Sequence, residues 1–280
     1  MDRPYIDLHV HSFYSDGSLS PEEIVADAIA NSVGTLAIAD HDVLEGGIIA
    51  KKLCLDSNIR YIPAVEIDTL DGDNNIHILA YGIDIEDPPL NDFINHTRFL
   101  LDESSLKLIE FMHSDYPEIT LDDYMRYMYD RRQGGWKALH YLLNKGLTRS
   151  LKEGIQFYGK YGLTYDKSGY STIAATACRI KAASGYSVLA HPGEVIDSTD
   201  INRFTDELRR ITAFGLDGIE CYYPTHSEAV TNVCLGICKQ YGLMITSGSD
   251  CHGVFGKTRV GEMDITIDKL ELNELLIRSY

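Results

Sequence analysis

The stretch Ile-Asp-Leu-His-Val-His-Ser at residues 6–12 opens the first apolar run of the chain and carries polar residues at every second position. Successive side chains of a strand point to opposite faces, so the apolar residues share one face and Asp7, His9 and His11 share the other. Two imidazoles beside a carboxylate indicate a metal site, but two hydrogen-bonded structural histidines on a half-exposed strand would show the same pattern. The rest of the chain decides between these interpretations.

Seven short apolar runs predict strands at 5–10, 35–39, 61–66, 76–81, 187–190, 218–221 and 243–247. Helical patterns lie between most of them, at 44–57, 171–184, 201–214 and 226–241, and the end of the chain, 268–280, predicts a closing helix. A capping box, with Ser20 as N-cap, Pro21 as the first helical residue and Glu23 as the reciprocal partner, begins the first helix. Alternating strands and helices predict an α/β protein with a parallel sheet, in a barrel closely related to the eightfold one.

The interval 87–170 breaks this alternation. It contains three long helical stretches, at 90–114, 120–132 and 136–145, many tyrosines and no convincing strand. We therefore predict a barrel domain made of 1–86 and 171–280, with a helical lobe of 87–170 inserted after the fourth strand. Arg131, Arg132 and Lys137 lie close together within this lobe.

Composition limits the possible partners and location. The chain has 280 residues and a formal net charge of −17, so its general surface repels a long phosphate backbone. Bound metal ions would reverse that field locally. The sequence has no apolar run of membrane length, no recognisable signal peptide, and six cysteines without a CxxC pair. These features predict a cytoplasmic protein in a reduced compartment, and they leave its oligomeric state open.

Residues with metal-ligand chemistry fall mostly at the carboxyl ends of the predicted strands, where barrel enzymes build their active sites. The nine candidate ligands are His9, His11, Asp16, His41, Glu66, His77, His191, Asp250 and His252. His77 is the exception, because it begins its strand, and we expect it to reach the centre from inside the barrel or through an irregular strand. Nine ligands exceed the roughly four of one tetrahedral zinc site, so the sequence predicts two or three divalent ions. Imidazoles mixed with carboxylates suit Mn, Zn or Fe.

The order and spacing of these motifs resemble a known family. The motifs are D-L-H-V-H-S at 7–12, S-D-G-S at 15–18, A-D-H-D at 39–42, Glu66, His77, A-H-P-G at 190–193 and G-S-D-C-H-G at 248–253. Together they resemble the PHP (polymerase and histidinol phosphatase) metal-dependent phosphoesterases, from residue 7 to residue 253 apart from the inserted lobe. The resemblance implies a distorted (β/α)7 barrel with a trinuclear metal cluster.

The resemblance also implies a ligand set for each ion. The first ion would be held by His9, His11, Glu66 and Asp250. The second would be held by Asp16, His41 and His252. The third would be held by Glu66, His77 and His191, with Glu66 bridging.

The resemblance implies a substrate class as well. Aspartate at position 16 and the lobe after the fourth strand are similar to stand-alone members that dephosphorylate AMP or nucleoside 3′,5′-bisphosphates. Those relatives often carry an Arg-Pro-His element near the last helix of the lobe, whereas this chain has Arg132-Gln133-Gly134-Gly135-Trp136-Lys137. We expect Arg132 or Lys137 to replace that element in binding the substrate.

Charge suggests a mechanism for this chemistry. A hydroxide held between metal ions is a nucleophile at neutral pH, since bound cations lower the pKa of water to about 7. We predict Asp250 and His226 as catalytic residues. His226 would orient the phosphate or protonate the leaving oxygen, and Lys257 and Arg259 would contact a phosphate; each of the three could instead be an ordinary surface residue. Asp7 and Asp42 suit the orientation of imidazoles, and Tyr222 and Tyr223 could stack on a base or simply pack.

Several functions stay open at this point. The first is a phosphatase for small nucleotides; the second is a 5′–3′ exonuclease acting on short RNA or DNA oligomers, and histidinol phosphate is a further substrate. A non-catalytic regulatory module of the same fold is a different class of function. Degenerate modules should show gaps among the ligands, and all nine positions are filled here.

Overall fold

The computed structural model describes residues 3–278, which contain eight strands and ten α-helices. The strands are β1 (Tyr5–Asp7), β2 (Val33–Leu36), β3 (Arg60–Tyr61), β4 (Ala64–Asp71), β5 (Asn74–Tyr81), β6 (Tyr186–Leu189), β7 (Gly218–Tyr222) and β8 (Met244–Ser247). The helices are α1 (Pro21–Ala30), α2 (Glu45–Asp56), α3 (Pro88–Met112), α4 (Leu121–Arg126), α5 (Lys137–Asn144), α6 (Leu151–Lys160), α7 (Ile173–Ala182), α8 (Pro192–Val195), α9 (Ile201–Thr212) and α10 (Glu228–Tyr241). The predicted capping box at α1 is confirmed, with Ser20 and Glu23 bonded reciprocally.

The strands form two sheets. The first contains β1, β2 and β3, all parallel, and the second contains β4 to β8 in chain order. The predicted all-parallel sheet is wrong at β5, which pairs antiparallel with both β4 and β6. The predicted strand 61–66 is also wrong, because the chain breaks at Pro63, which has no N–H to donate, and resumes as the longer β4.

Backbone contacts join the two sheets at their carboxyl ends. The Leu8 N–H donates to the Ser247 carbonyl (3.1 Å), and Val10 makes a parallel bridge with Cys251. On the other side His41 makes a parallel bridge with Glu66. The strand runs 5–10 and 35–39 therefore end earlier as regular strands than predicted, and their last residues serve as joints between the sheets.

The interval between β5 and α7 is helical, as the sequence predicts, but its helices differ in detail. Helix α6 was not predicted, and the stretch predicted at 120–132 splits into α4 and a 3₁₀ turn at Arg131–Gln133. Residues of α3, α4 and α5 build an apolar cluster of their own, which includes Leu108, Tyr124 and Tyr141. The helices of this interval thus pack around their own core.

The predicted closing helix at 268–280 is wrong within the described residues. The chain there forms 3₁₀ turns at Ile267–Lys269 and Leu275–Arg278. Leu270, Leu272 and Leu275 are buried and pack against strand residues such as Ile6. Residues 279–280 lie outside the described part of the chain. None of the helices within residues 3–278 has both the length and the apolar character needed to cross a membrane.

Candidate metal centre

The joints between the two sheets bring the candidate ligands together. The Asp250 N–H donates to the His9 carbonyl (2.8 Å), and the His11 N–H donates to the Cys251 carbonyl (2.9 Å). His41 is bridged to Glu66 in the same way on the other side. Because these joints lie at the carboxyl ends of the strands, side chains far apart in sequence converge on one buried region.

All nine candidate ligands lie in four overlapping groups. Within each group the possible ligand atoms lie within 4.8 Å of one another. The groups are His11, Asp16, His41 and His252; His9, His11 and Asp250; His9, Glu66 and His191; and His41, Glu66 and His77. Groups that share members can hold several cations close together.

Glu66 lies at the centre of this arrangement and is fully buried. Its carboxylate oxygens lie within 3.0–3.4 Å of five imidazoles, those of His9, His11, His41, His77 and His191. Burial alone would raise the pKa of Glu66, but the surrounding imidazoles hold it well below its usual range. Glu66 is therefore ionised and able to bridge cations.

His77 reaches the centre because β5 runs antiparallel to β4. The register places His77 opposite Asp68, so the beginning of β5 lies at the end of β4 that carries the other ligands. The expectation of an irregular strand is wrong, since the direction of the strand explains the position. Asp68 then accepts from His77 Nε2 (3.1 Å) and from Asn75 (2.7 Å), which holds the imidazole toward Glu66.

Glu220 and Asp68 orient imidazoles, and the sequence analysis assigned this role to neither. Glu220 is buried and contacts His9 Nδ1 (3.1 Å) while accepting the backbone N–H of His191 (2.9 Å). One signal could have identified Asp68: it follows Glu66 by two residues, and so shares its face of the strand.

Asp7 and Asp42 do not hold imidazoles, so this expectation is wrong. Asp7 accepts the backbone N–H groups of Ser249 (2.9 Å) and Gly261 (2.7 Å) and thereby fixes the loop after β8. Burial nevertheless raises the pKa of Asp7 to about 6. Asp42 accepts the backbone N–H of Asp68 at 3.3 Å.

Several buried nitrogens of the cluster lack a hydrogen-bond partner, which fits a site for cations. Nδ1 of His11, His41 and His191 is buried without a hydrogen bond, whereas Asp16 Oδ1 lies 3.3 Å from His252 Nε2. Leaving such polar atoms unpaired costs about 1–3 kcal/mol each. The donor set of imidazoles and carboxylates is one that transition-metal ions bind. The residues present therefore fit the metal ions that the sequence implies.

Neighbouring imidazoles in the metal-free cluster differ in protonation. Burial lowers the pKa of both His11 and His41, but the carboxylates of Asp250 and Glu66 outweigh it and raise the pKa of His11 to about 10. At His41 burial prevails and lowers the pKa to about 4. The rings of His11 and His41 are 4.7 Å apart between centroids, so two adjacent imidazoles cannot both be protonated cheaply.

The backbone is strained where the ligand loops leave the strands. Asp42 (φ 50°), His191 (φ 28°) and Asp250 (φ 49°) all have positive φ, which is uncommon for residues other than glycine. Such conformations cost about 1–3 kcal/mol each and persist where the surrounding structure enforces them. Three of the eight non-glycine residues with positive φ in the described part of the chain therefore belong to or adjoin the candidate ligands.

His226 lies close to the cluster, with both ring nitrogens bonded to the backbone. Its Nδ1 donates to the Cys221 carbonyl (3.1 Å), and its Nε2 accepts the Gly193 N–H (3.1 Å). Burial lowers the pKa of His226, so it stays neutral. A neutral ring with both nitrogens bonded to backbone does not favour proton donation to a leaving group, and the catalytic role of His226 stays a prediction. Tyr223 contacts the cluster by donating to Asp250 Oδ2 (2.7 Å).

The predicted substrate cations are spread apart. Lys257 is exposed, Arg259 pairs with Glu262 (3.2 Å), and Arg132 pairs with Glu23 on α1. Lys137 lies 4.6 Å from the centre of the Tyr124 ring. Of these four cations, only Lys137 lines the large cavity beside the cluster.

That cavity has a volume of about 760 Å³ and lies mainly between helices of the interval 87–170. Its lining includes three cations, Arg98, Arg131 and Lys137, and several tyrosines. Trp136 also lines it, and the Trp136 ring lies 6.0 Å from the His41 ring between centroids. A cavity of about 680 Å³ at the amino ends of β1 and β2 contains no histidine or carboxylate in its lining. This second cavity therefore lacks the residue types of the candidate site.

A buried cluster of imidazoles and carboxylates at the strand ends of an α/β fold is a site that can hold metal ions for hydrolysis. The chain belongs to the PHP domain family, whose profile matches residues 7–221, and it is a metal-dependent phosphoesterase, a hydrolase of phosphoric ester bonds.

Three curated relatives are each 28% identical to this chain. They are a phosphoribosyl 1,2-cyclic phosphate 1,2-diphosphodiesterase of Eggerthella lenta (90% of this chain, 95% of the relative), the 5′-3′ exoribonuclease Rnm of Escherichia coli (88% and 84%), and a 3′,5′-nucleoside bisphosphate phosphatase of Chromobacterium violaceum (88% and 87%).

Solved structures share the fold. The structure of an amidohydrolase from Chromobacterium violaceum with bound sulfate superposes with a TM-score of 0.74 at 25% identity, covering 99% of this chain and 97% of that one. A structure from Bifidobacterium adolescentis superposes with a TM-score of 0.76 at 24% identity, covering 97% of this chain and 95% of that one.

Proposed function

We propose that this protein hydrolyses phosphate monoesters of small nucleotides, such as AMP or a nucleoside 3′,5′-bisphosphate. The observation that carries the proposal is the cavity of about 760 Å³, lined by cations and aromatic rings, which adjoins the metal-type cluster through Trp136 and His41. Its volume lies within the range of small-molecule sites, about 300–1,000 Å³. A mononucleotide would fit such a space with its phosphate at the cluster.

The nine candidate ligands would hold two or three divalent ions, of Mn, Zn or Fe. His9, His11, Glu66 and Asp250 would hold the first ion, and Asp16, His41 and His252 the second. Glu66, His77 and His191 would hold the third. When bound, such ions activate water and neutralise the charge of a phosphoryl group.

Other residues of the chain orient the candidate ligands. Glu220 and Asp68 hold His9 and His77 in fixed orientations, and Tyr223 does the same for Asp250. The lobe excludes water from one side of the cluster, because Trp136 lies against His41. The substrate is thereby oriented by rigid groups in a partly dry site.

We also infer that the two sheets form one distorted (β/α)7 barrel made of residues 1–86 and 171–280, with residues 87–170 as an inserted lobe. The backbone joints at Leu8, Val10 and His41 support a closed arrangement. The separate apolar cluster of the lobe supports its assignment as an insertion.

A 5′–3′ exonuclease acting on short oligomers is the second candidate. The similarity to the E. coli exoribonuclease favours it, at the same 28% identity as to the bisphosphate phosphatase. The net charge of −17 disfavours long polymers but does not disfavour short oligomers. Histidinol phosphate has no feature of the cavity in its favour, and the filled set of nine ligands speaks against a non-catalytic module.

A panel of phosphate esters tests the proposal. Protein reconstituted with Mn, Zn or Fe should release phosphate from AMP and from adenosine 3′,5′-bisphosphate with higher kcat/KM than from histidinol phosphate or a 5′-phosphorylated oligomer. Asp16→Ala and His191→Ala should each abolish release without unfolding the protein, since each removes a ligand from a different group. Preference for the oligomer would replace the phosphatase by the exonuclease, and activity retained by both variants would overturn the ligand assignment.

A further inference from the structure

Arg98 on α3 brings a partly paired guanidinium to the lining of the cavity. The guanidinium lies 5.0 Å from the centre of the Trp136 ring, and its Nε donates to Asp102 Oδ2 at 3.4 Å. Its Nη1 is buried and has no hydrogen-bond partner. Leaving a buried donor unpaired is unfavourable, and more so on a charged group. One nitrogen of this guanidinium therefore still lacks an acceptor.

The position of Trp136, and through it of Arg98, is fixed from the metal face. The Gly135 N–H donates to the Asp16 carbonyl (2.7 Å), which ties the loop of residues 131–136 to a candidate ligand. Gly134 (φ 67°) packs so closely on Phe255 that a side chain there would clash, and a side chain at Gly135 (φ 71°) would make a tight contact with the Phe255 ring. In this arrangement the Trp136 ring lies 6.0 Å from the His41 ring and 5.0 Å from the Arg98 guanidinium.

The region around Arg98 is less acidic than the rest of the chain. The interval 87–170 holds eleven of the chain's 25 Lys and Arg residues but only twelve of its 42 Asp and Glu residues, and is therefore nearly neutral. The cavity lining itself contains three cations and three carboxylates, those of Asp73, Asp102 and Asp166. Net charge alone therefore does not select the ligand there, and the unpaired Nη1 of Arg98 is what does.

We propose that Arg98 binds a second phosphate of the substrate, separate from the phosphate that is hydrolysed, and that Trp136 positions the guanidinium. The inference rests on the proposed function and narrows its substrate class to nucleotides with two phosphate groups, such as a nucleoside 3′,5′-bisphosphate. Guanidinium groups suit this role because their planar fork matches phosphate oxygens and stacks on aromatic faces. Arg98 is a specificity residue here, and Trp136 acts through it.

Kinetics on paired substrates test the role of Arg98. In metal-reconstituted protein, Arg98→Gln should lower kcat/KM for adenosine 3′,5′-bisphosphate about ten- to a hundredfold, the worth of one charge-assisted contact. It should change kcat/KM for AMP and for an aryl phosphate by less than about threefold. Arg126→Gln is the matched control, because Arg126 lies on the lobe in an exposed ion pair with Asp122. An equal loss on all three substrates, or no loss on the bisphosphate, would overturn the proposal.

Trp136 gives a readout that does not depend on turnover, since it is the only tryptophan in the sequence. Its fluorescence, followed by stopped flow within the first turnover, should change on mixing with adenosine 3′,5′-bisphosphate and far less with AMP. In Arg98→Gln, the bisphosphate concentration needed for half of this fluorescence change should rise tenfold or more. Trp136→Phe, which keeps an aromatic face, should retain more selectivity for the bisphosphate over AMP than Trp136→Leu. If the two variants lose selectivity equally, Trp136 does not position Arg98.

The two measurements separate failure of the inference from failure of the proposed function. If bisphosphate binding depends on Arg98 but no nucleotide releases phosphate, the subsite is supported and the proposed phosphatase function is wrong. If nucleotides release phosphate without any dependence on Arg98, the phosphatase function is supported and the subsite is wrong. A 5′-phosphorylated dinucleotide, whose second phosphate is a diester, is the last substrate in the comparison. If Arg98→Gln impairs the dinucleotide and not the bisphosphate, the assignment to a second monoester is wrong.

Discussion

At the scale of single residues, the site depends on pairs in which a carboxylate fixes an imidazole. Glu66 draws five imidazoles around one carboxylate, while Glu220 and Asp68 hold His9 and His77 from behind. Partners of this kind fix the ring orientation and tautomer of a metal-binding histidine. Metal affinity should therefore depend on residues that would not contact the metal.

Glu220→Gln tests this dependence. The amide keeps the shape of the side chain but cannot serve the His9 ring and the His191 N–H as well as a carboxylate does. We expect metal affinity to fall about ten- to a hundredfold, with the unfolding midpoint of the metal-free protein nearly unchanged. Competition with a chelator measures the affinity. Glu228→Gln, an exposed residue in the first turn of α10, is the control, and equal affinity of both variants would contradict the role of Glu220.

His226 predicts a dependence of stability on pH. His226→Ala removes a partner from the Gly193 N–H and the Cys221 carbonyl, so it should cost about 1–3 kcal/mol at pH 7.5. Because burial lowers the pKa of His226 in the folded state, the unfolded chain takes up the proton first as the pH falls below about 6.5. Over this pH range the wild type therefore loses stability that His226→Ala does not lose. The difference in the free energy of unfolding between the two proteins should shrink as the pH falls from 7.5 to 5.5.

Urea unfolding of both proteins after treatment with a chelator measures this difference, because metal release then does not contribute. His96→Ala, at an exposed position on α3, controls for the loss of a histidine as such. A difference between wild type and His226→Ala that stays constant over this pH range would show that His226 is not held neutral.

At the scale of elements, two local features position the site. The reversed direction of β5 places His77 beside Glu66, and the loop of residues 131–136 fixes the lobe on the metal face. The second feature needs two consecutive glycines, Gly134 and Gly135, because the backbone has positive φ and passes close to Phe255. The direction of a strand and the close approach of a loop depend on whole elements, so they cannot be recognised from single ligand motifs.

Gly134→Ala should damage activity through this loop. With φ 67° and ψ −178°, Gly134 has a conformation that an alanine adopts only at a cost of about 1–3 kcal/mol. The alanine Cβ would also meet Phe255 and lie 2.9 Å from the Asp16 carbonyl. Gly146→Ala is the control for a side chain at positive φ, since Gly146 has φ 72° and open space around its Cβ position. Both variants should lose stability, Gly134→Ala more than Gly146→Ala, and only Gly134→Ala should raise KM for nucleotides. A rise in KM with both variants would remove the loop from substrate binding.

At the scale of the whole molecule, the contacts that join the two sheets are made by the site residues themselves. His41 bridges to Glu66, and the Asp250 N–H bonds to the His9 carbonyl, at the joints between the sheets. The same region contains the strained backbone of Asp42, His191 and Asp250. Cations bound there would hold both sheets together, so metal binding should stabilise the entire fold.

Removal of metal tests this coupling. At a free metal concentration of about a hundred times the dissociation constant, one bound ion adds about 2.7 kcal/mol to the free energy of unfolding. For a chain of this size that corresponds to a Tm roughly 5–10 °C higher than in the metal-free protein. Calorimetry before and after treatment with a chelator, followed by addition of metal, measures the shift. His9→Ala should lose most of it, and an unchanged Tm in the wild type would show that the cluster binds no ion.

The sequence by itself determined the family, the nine candidate ligands, most of the strands and helices, and the position of the helical interval. Each of these follows from the local spacing and alternation of residues. Only the tertiary structure decided the antiparallel direction of β5, the use of Asp7 as a loop anchor, the bonding of both His226 nitrogens, and the inward position of Arg98 beside Trp136. The physical reason is that these features depend on which groups meet across large separations in the chain. Local patterns determine the chemistry of a side chain, whereas its partners, its burial and hence its protonation state arise from packing.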